Sequence, residues 1–502
     1  MKVFGSKNKQ SEFFELLPQA LARLKKNIIE PFFGAGNNNK DDNEPLRSEI
    51  FTREKLQQHA ILLAKRHVII EHQVPEQLLK RLSENASILL EVHALLSKNL
   101  KESGRLAPAG EWLLDNFYLI EEHIYTGKKH LPKGYSKILP QLSKGDSAGL
   151  PRVYDMAVEI ISHTDGHVDL HSLTDFINAY QSVSVLKLGE LWAIPIMLRL
   201  ALIENLRRLA VQIAQEIANK AIATKWADEM IHVAENDPKS LVLVIADMAR
   251  SDPPMESTFV AELTRRLQEK GSILSLPLNW IEQRLLDVGL TGNELIQQEN
   301  QSQAATQVSI SNSISGLRFL NNTNWRDFIE DTSVVEAILR RDIDDVYSKM
   351  DFDTRDHYRH AIEKIAWLGN KAEHDIAEMV IKMANENSYK DKRRAHVGYY
   401  LTGKGYSLTL KAANAKLRGF DKYRNSGNKY PLTVYLGSIL LLSSLISWAL
   451  IAEVLREDIT RNILITVSVI IFLATTRLSV SIINWISTIL SKPSLLPRID
   501  YS

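Results

Sequence analysis

The chain contains no cysteine among its 502 residues, which excludes disulfide bonds, thiol catalysis and cysteine metal sites. The formal net charge is +1, from 61 basic and 60 acidic residues, so no overall basic field predicts nucleic-acid binding. The N-terminal stretch Met1-Lys2-Val3-Phe4-Gly5-Ser6-Lys7 lacks the apolar core of a cleaved signal peptide. The remaining composition, 45% hydrophobic and 24% charged, is that of an ordinary globular protein.

Two long apolar runs lie near the end of the chain. The first covers residues 432–455 and contains one acid, Glu453, and the second covers residues 463–490 and contains one charge, Arg477. A bilayer core of about 30 Å needs about 20 apolar helical residues, so each run is long enough to cross it. We therefore predict a transmembrane hairpin over residues 432–490.

The charges that flank these runs predict the orientation of the hairpin. Six basic residues precede the first run against one acid, Asp421; they are Lys411, Lys416, Arg418, Lys422, Arg424 and Lys429. The tail carries Lys492 and Arg498. Because basic flanks stay cytoplasmic, we expect a multi-pass protein with both termini in the cytoplasm and a hinge of about seven residues outside. Tyr435 and Trp485 are candidate interfacial anchors.

Apolar residues before the hairpin recur at helical spacing, and no run alternates as a strand would, so we predict an all-α fold. Residues 1–50 read as an amphipathic helix and a flexible linker, and this helix could lie on the membrane or pack on the body. Residues 51–425 form the cytoplasmic all-helical domain, with a subdivision near residues 236–316, and residues 491–502 form a cytoplasmic tail. The segment 297–316 is rich in Gln, Ser and Asn and is predicted to be a loop or a weak helix.

A histidine cluster was tested for metal chemistry. His163, His167 and His171 are spaced by four, as helical metal ligands would be, but Gly166 interrupts the helix between them. A helix-turn-helix corner with Asp169 as the N-cap of the second helix is the preferred interpretation.

Two acid-x-acid patterns, Asp342-Ile343-Asp344 and Asp351-Phe352-Asp353, resemble the metal-holding pairs of sugar-nucleotide transferases. Such pairs normally end a strand, whereas these lie among helical residues, so surface acids that cap helices are predicted. The group Asp356, His357 and His360 is interpreted as a solvated helix face.

Two further features of the sequence do not define a catalytic site. Gly403 and Gly405, on either side of Lys404, lack phosphate-loop spacing and predict a turn after a helix. Arg477 is either a functional residue within the second span or its snorkelling end. We therefore predict no catalytic residue and no metal ligand in this chain, and no cofactor-binding residue is assigned.

Several long strings carry a family resemblance. They are Arg152-Val153-Tyr154-Asp155, His163-Thr164-Asp165-Gly166, Leu188-Gly189-Glu190-Leu191-Trp192-Ala193-Ile194-Pro195-Ile196-Met197-Leu198-Arg199-Leu200, Met350-Asp351-Phe352-Asp353-Thr354-Arg355-Asp356-His357-Tyr358-Arg359-His360 and His396-Val397-Gly398-Tyr399-Tyr400-Leu401. Together they resemble the N-terminal region of bacterial cyclic β-1,2-glucan synthases, over roughly residues 110–502. These are large inner-membrane enzymes in which a helical region and a first pair of spans precede a cytoplasmic glucosyltransferase domain. That domain uses UDP-glucose and a divalent metal.

The resemblance implies a role for this chain that is separate from the chemistry. The segment 496–502 resembles the start of the transferase domain, so we expect a piece truncated before that domain, without cofactor and inactive alone. It would anchor and scaffold the synthase in the bacterial inner membrane, with the lipid bilayer and a downstream-encoded glucosyltransferase domain or subunit as partners. The alternative is a stand-alone membrane-tethered helical adaptor or regulator without sugar chemistry.

Overall fold

The computed structural model describes residues 44–70, 75, 77–103, 105–132, 134–251, 253, 255–287, 289, 291–387, 389, 392–415, 431–454, 461–490 and 498–499. The predicted N-terminal helix, most of the basic flank and most of the tail therefore lie outside the described residues. The chain divides into two compact units, Met1–Ser333 and Val334–Ser502. The described residues form helices and three isolated β-bridges but no strand, which confirms the all-α prediction.

Thirteen helices are described in the first unit. They are α1 (Arg53–Arg66), α2 (Leu78–Ser103), α3 (Pro108–Asp115), α4 (Phe117–His130), α5 (Tyr135–Ile138), α6 (Arg152–His163), α7 (Leu170–Gln181), α8 (Leu188–Asn236), α9 (Leu241–Arg250), α10 (Ser257–Gln268), α11 (Ser275–Leu286), α12 (Gly292–Asn322) and α13 (Trp325–Thr332), with short 3-10 turns at Pro238–Ser240 and Gly271–Leu274. Apolar faces at helical spacing bring these helices together.

Helix α8 organises the first unit. Its 49 residues make it about 74 Å long at 1.5 Å per residue. Buried residues from Leu188 to Ala221 join one apolar core, and those from Ala223 to Ala234 join a second core with α9, α10 and α11. Pro195 lies inside the helix, where it removes one backbone hydrogen bond.

A buried ion pair connects two of the strings that carry the family resemblance. Arg152, at the start of α6, donates from Nε and Nη2 to the two carboxylate oxygens of Glu190, each at 2.6 Å. Arg152 also donates to the Ser184 hydroxyl and to the Val185 carbonyl. Glu190 accepts the backbone N–H of Lys187 at 2.9 Å and so caps the start of α8. The pair is almost fully buried, so each charge depends on the other for compensation.

The predicted corner between α6 and α7 is confirmed. Asp169 is the N-cap of α7, and its carboxylate accepts the backbone N–H of Ser172 at 2.9 Å. Gly166 has a φ of +79°, and a Cβ added there would lie 2.6 Å from the hydroxyl oxygen of Ser313 on α12. Only glycine therefore suits this turn, both for its backbone conformation and for its close contact with α12.

Of the two alternatives predicted for residues 297–316, a loop or a weak helix, the structure shows a helix. These residues lie within α12, which begins with a capping box in which Thr291 and Glu294 bond each other's backbone N–H. Ile310, Ile314 and Leu317 are fully buried on one face of the helix. Tertiary burial of this face outweighs the weak helix propensity of the Gln-, Ser- and Asn-rich sequence.

Seven helices are described in the second unit. They are α14 (Val334–Leu339), α15 (Phe352–Gly369), α16 (Glu373–Asn387), α17 (Gly398–Leu401), α18 (Tyr406–Ala412), α19 (Pro431–Val454) and α20 (Arg461–Leu490), with 3-10 turns at Tyr347–Lys349 and Lys392–Arg394. Helices α14 to α18 share one apolar core, which includes Tyr347, Tyr358 and Ile362. Gly403 and Gly405 lie in the turn between α17 and α18, as predicted.

The acid-x-acid prediction is half right. Asp351 caps α15 and accepts the backbone N–H of Thr354 at 3.0 Å, as expected of a capping acid. Asp342 is instead buried, and its carboxylate bonds the ring Nδ1 of His396 at 2.7 Å and the backbone N–H of Val397 at 3.3 Å. A buried carboxylate needs such partners, and no local pattern indicates a partner that lies more than 50 residues away.

Candidate functional site: the apolar hairpin

Helices α19 and α20 are the two elements long and apolar enough to cross a membrane among the described residues. The apolar stretches are Leu432–Glu453, with 22 residues, and Ile463–Ile489, with 27 residues. At 1.5 Å per residue they are about 33 and 40 Å long, against a hydrocarbon core of about 30 Å. Most of their residues are exposed on the protein, which is opposite to the burial of an ordinary core helix.

A polar seam joins the two helices in antiparallel register. The hydroxyls of Ser447 and Thr475 bond each other at 2.7 Å, and the Tyr435 hydroxyl donates to the Asn484 side-chain oxygen at 2.7 Å. The beginning of α19 therefore lies beside the end of α20, and the two helices run in opposite directions. Interhelical hydrogen bonds of this kind favour helix pairing in lipid, because an apolar solvent offers no competing partner.

Small hydroxyl residues line the middle of the seam. Ser443 and Ser447 stand one helical turn apart on α19, as do Thr475 and Ser479 on α20, and all four are buried. The Ser443 hydroxyl donates to the Ile439 carbonyl of its own helix at 2.7 Å. Small side chains let the two backbones approach closely, which is the usual basis of packing between membrane helices.

The outer faces of the hairpin are apolar and exposed. The exposed residues include Leu440, Leu441, Leu445, Trp448, Val469, Ile470 and Leu473. Arg477 is also exposed, and it lies near the middle of the second apolar stretch. A charge at this depth is costly in lipid.

The two predicted aromatic anchors lie at the same end of the hairpin. Tyr435 is near the beginning of α19 and bonds Asn484, and Trp485 is the next residue along α20. Trp485 is exposed, as an interfacial anchor must be. This is also the end from which the basic flank and the tail leave the helices.

The histidines and acids that were candidates for chemistry lie in different surroundings. His167 and His171 are exposed, whereas His163 is buried. His360 is half exposed, and its hydrogen bonds to Asp356 and Glu363 raise its pKa to about 10, so it is a charged surface residue as predicted.

One histidine–aspartate pair was missed by sequence reasoning. The ring Nε2 of His396, whose Nδ1 bonds Asp342, lies 3.5 Å from the Tyr358 hydroxyl. This chain of groups has the polarity of an acid–base relay, but Tyr358 and Asp342 are both buried. Burial raises the pKa of Tyr358, which keeps that hydroxyl protonated. The contacts of His396 with Tyr358 and Asp342 connect two of the strings that carry the resemblance.

A helical body followed by two antiparallel apolar helices with a small-residue seam is typical of membrane-anchored proteins, and this is the class that the fold indicates. No family model matches the chain. Among curated proteins it is homologous to the cyclic beta-(1,2)-glucan synthase NdvB of Rhizobium meliloti (strain 1021), with 29% identity over 469 residues. The match covers 92% of this chain and 16% of that protein, so the chain spans about one sixth of its relative's length.

The extent of the match includes part of the hairpin. The part of the chain outside the match is shorter than the hairpin and tail together. Even if all of that part lay at the C-terminal end, the match would still extend into the apolar helices. This homology confirms the predicted resemblance to a cyclic glucan synthase.

Proposed function

We propose that this chain anchors and positions the sugar-transferring part of a cyclic β-1,2-glucan synthase at the bacterial inner membrane. The hairpin crosses the bilayer, and the helices that precede it in the two units lie on the cytoplasmic side. Glucosyl transfer from UDP-glucose takes place on a glucosyltransferase domain or subunit that these units hold at the membrane. The observation that carries this proposal is the hairpin, whose exposed apolar faces need lipid, in a chain homologous to such a synthase.

The orientation rests on the distribution of charge and aromatic residues. The basic residues that precede α19 and those that follow α20 leave from one end of the hairpin, where Tyr435 and Trp485 also lie. Basic flanks favour the cytoplasm, and paired aromatic residues favour the interface. In this proposal the start of α19 and the end of α20 therefore face the cytoplasm, and the segment between the two helices lies outside.

The absence of cysteine from the sequence makes the topology directly testable. Single cysteines at Thr460, between the helices, and at Ser251, exposed on the first unit, are labelled with a membrane-impermeant maleimide in intact spheroplasts. The Thr460→Cys variant is expected to react and the Ser251→Cys variant to react only after lysis. The reverse pattern would refute the orientation, and reaction of both before lysis would refute the membrane crossing.

The anchoring role also predicts the catalytic behaviour of the chain. Purified chain supplied with UDP-glucose and magnesium is expected to form no glucan, because no described cluster of residues offers a site for a sugar nucleotide. Addition of the separate transferase part is expected to place that part on vesicles that carry this chain, and not on vesicles that carry the hairpin alone. Glucan made by the chain itself would overturn the assignment.

The adaptor alternative is separated from the synthase role by the identity of bound partners. Affinity capture from membranes should recover a glucosyltransferase if the chain serves a glucan synthase. Consistent recovery of unrelated proteins, without a transferase, would favour an adaptor or regulator.

A further inference from the structure

A histidine–carboxylate cluster joins α1 to the end of α6 in the first unit. The Nε2 atom of His59 lies 2.9 Å from Oε2 of Glu159, and the Nε2 atom of His163 lies 3.4 Å from the same oxygen. The three atoms all lie within 4.8 Å of one another. The side chains are 20%, 20% and 11% exposed in the order His59, Glu159, His163, so the cluster is partly desolvated and still open to an ion.

The ring of His163 is oriented by its second nitrogen. Its Nδ1 lies 2.8 Å from the backbone carbonyl of Glu49, and a carbonyl only accepts, so Nδ1 carries the proton. In the neutral ring the lone pair is then on Nε2, which faces the Glu159 carboxylate. Two acceptors that face each other repel, and a cation between them turns that repulsion into ligation. Metal-binding histidines are usually oriented in this way, by a carbonyl on the nitrogen that does not bind.

The surroundings hold the other groups in place. Oε1 of Glu159 accepts a hydrogen bond from Nη2 of Arg66 at 2.7 Å, which leaves Oε2 directed towards the two histidines. The ring of Phe51 stacks on His163 with centroids 3.8 Å apart and lies edge-on to His59 at 5.4 Å. An aromatic wall on one side limits water access and fixes the ring planes, as a supporting shell around a metal does.

The donor set selects the class of metal. Two imidazoles and one carboxylate suit zinc and similar first-row ions, whereas calcium and magnesium prefer oxygen ligands only. Tetrahedral zinc with bonds of about 2.0–2.1 Å separates its ligand atoms by about 3.4 Å. The two separations from Glu159, 2.9 and 3.4 Å, are close to that value, and the two histidine nitrogens lie within 4.8 Å of each other, so rotation of the side chains would bring all three ligands to a common ion.

We propose that His59, Glu159 and His163 form a zinc site in which water occupies the fourth position. The site fastens α1, and the segment before it, to the end of α6. Backbone hydrogen bonds already run between these parts, from the Ser48 N–H to the Ser162 carbonyl and from the Phe51 N–H to the His163 carbonyl, both at 3.0 Å. The metal adds a side-chain link at the same place.

This site differs from the one that the sequence spacing considered. His163 belongs to both candidate sets, but its predicted partners His167 and His171 are exposed, whereas His59 comes from 100 residues before Glu159. The prediction of no metal ligand considered only sets of residues that are close together in the sequence. The inference does not depend on the proposed anchoring function, because the site lies in the first unit and needs neither the hairpin nor a transferase.

The test measures metal binding to the full chain, purified in detergent without a histidine tag and stripped with a chelator. Zinc is titrated in competition with a chromogenic chelator, and cobalt replaces zinc to report tetrahedral geometry through its visible absorption. One equivalent of zinc and an intense tetrahedral cobalt spectrum are expected. The His59→Gln and Glu159→Gln variants are expected to lose at least about tenfold in affinity, because loss of a ligand costs at least as much as loss of its supporting group.

The matched control is His171→Gln, which removes an exposed histidine of the rejected set and should leave affinity and spectrum unchanged. Circular dichroism of each variant without metal checks that the helices are intact, and the wild-type cobalt spectrum tests the site even if a variant misfolds. The proposal is overturned if the wild-type chain binds less than one equivalent, or shows an octahedral cobalt spectrum. It is equally overturned if His59→Gln binds as tightly as wild type, or if His171→Gln loses the metal.

Discussion

The buried pair of Arg152 and Glu190 should respond very differently to single and double substitution. Arg152→Met removes four hydrogen bonds of the guanidinium group and leaves the Glu190 carboxylate buried without its counter-charge. Removal of one partner of a buried ion pair costs about 3–5 kcal/mol. We therefore expect this single substitution to destabilise the contact between α6 and α8 by that amount.

The double variant Arg152→Met/Glu190→Met removes both charges together. Replacement of a buried ion pair by apolar residues of similar volume is often neutral, so most of the lost stability should return. A residual loss of about 1 kcal/mol is expected, because Glu190 also caps the beginning of α8 through the Lys187 N–H. The coupling energy between the two positions is thus predicted to be large.

Hydrogen exchange followed by mass spectrometry measures these effects in the full chain. Exchange in peptides of α6 and α8 should accelerate roughly 100- to 4,000-fold in Arg152→Met, since each 1.4 kcal/mol is a factor of ten. Peptides of α15, in the second unit, are the internal control and should not change. The reasoning is refuted if Arg152→Met costs less than about 1 kcal/mol, or if the double variant is as unstable as the two single losses combined.

Three further predictions concern other parts of the chain. Burial lowers the pKa of His123 from 6.5 to about 4, so stability should be full above pH 6.5 and fall by about 3 kcal/mol between pH 6.5 and 4 in urea titrations, because only the unfolded state takes up the proton in that range. Gly166→Ala forces a left-handed backbone on alanine and a clash with Ser313, and should cost about 1–3 kcal/mol in the same titrations. Ser447→Cys/Thr475→Cys should form a disulfide under mild oxidation, seen as a shift in electrophoretic mobility.

Each of these predictions has a matched control. His123→Gln should flatten the pH dependence between 6.5 and 4, and an unchanged slope would show that another group is responsible. Gly292, which lacks a positive φ and has open space where a Cβ would stand, supplies a comparison for Gly166, and equal costs would contradict the argument from backbone and contact. A cysteine at Leu473, on the exposed face, should not cross-link to Ser447→Cys, and efficient cross-linking there would contradict the seam.

The hairpin was predictable from sequence almost to the residue, because span length and apolar character are local properties. The predicted runs 432–455 and 463–490 became Pro431–Val454 and Arg461–Leu490. The N-cap role of Asp169 was predictable for the same reason. Which face of α12 is buried was not predictable, because that depends on the neighbours that α12 meets in the fold.

The polar clusters show the same division between local and long-range information. The burial of Asp342 depends on His396, and the histidine–carboxylate cluster depends on His59, each distant in sequence from its partner. The resemblance strings marked Arg152 and Glu190 as notable, but the strings themselves did not show that these two residues form a pair. A single sequence carries no direct record of contacts between distant segments, so the structure was needed to find them.

The unbroken course of α8 has a mechanical consequence for the first unit. A helix that belongs to two cores cannot shift in one without displacing side chains in the other, because its backbone hydrogen bonds make it stiff along its axis. A pull on the Leu188 end would therefore load the packing around Met230, more than 40 residues away, before either core loosened. Helix α8 therefore couples the two cores of the first unit mechanically. Force applied near α6 would be shared with the core around Met230.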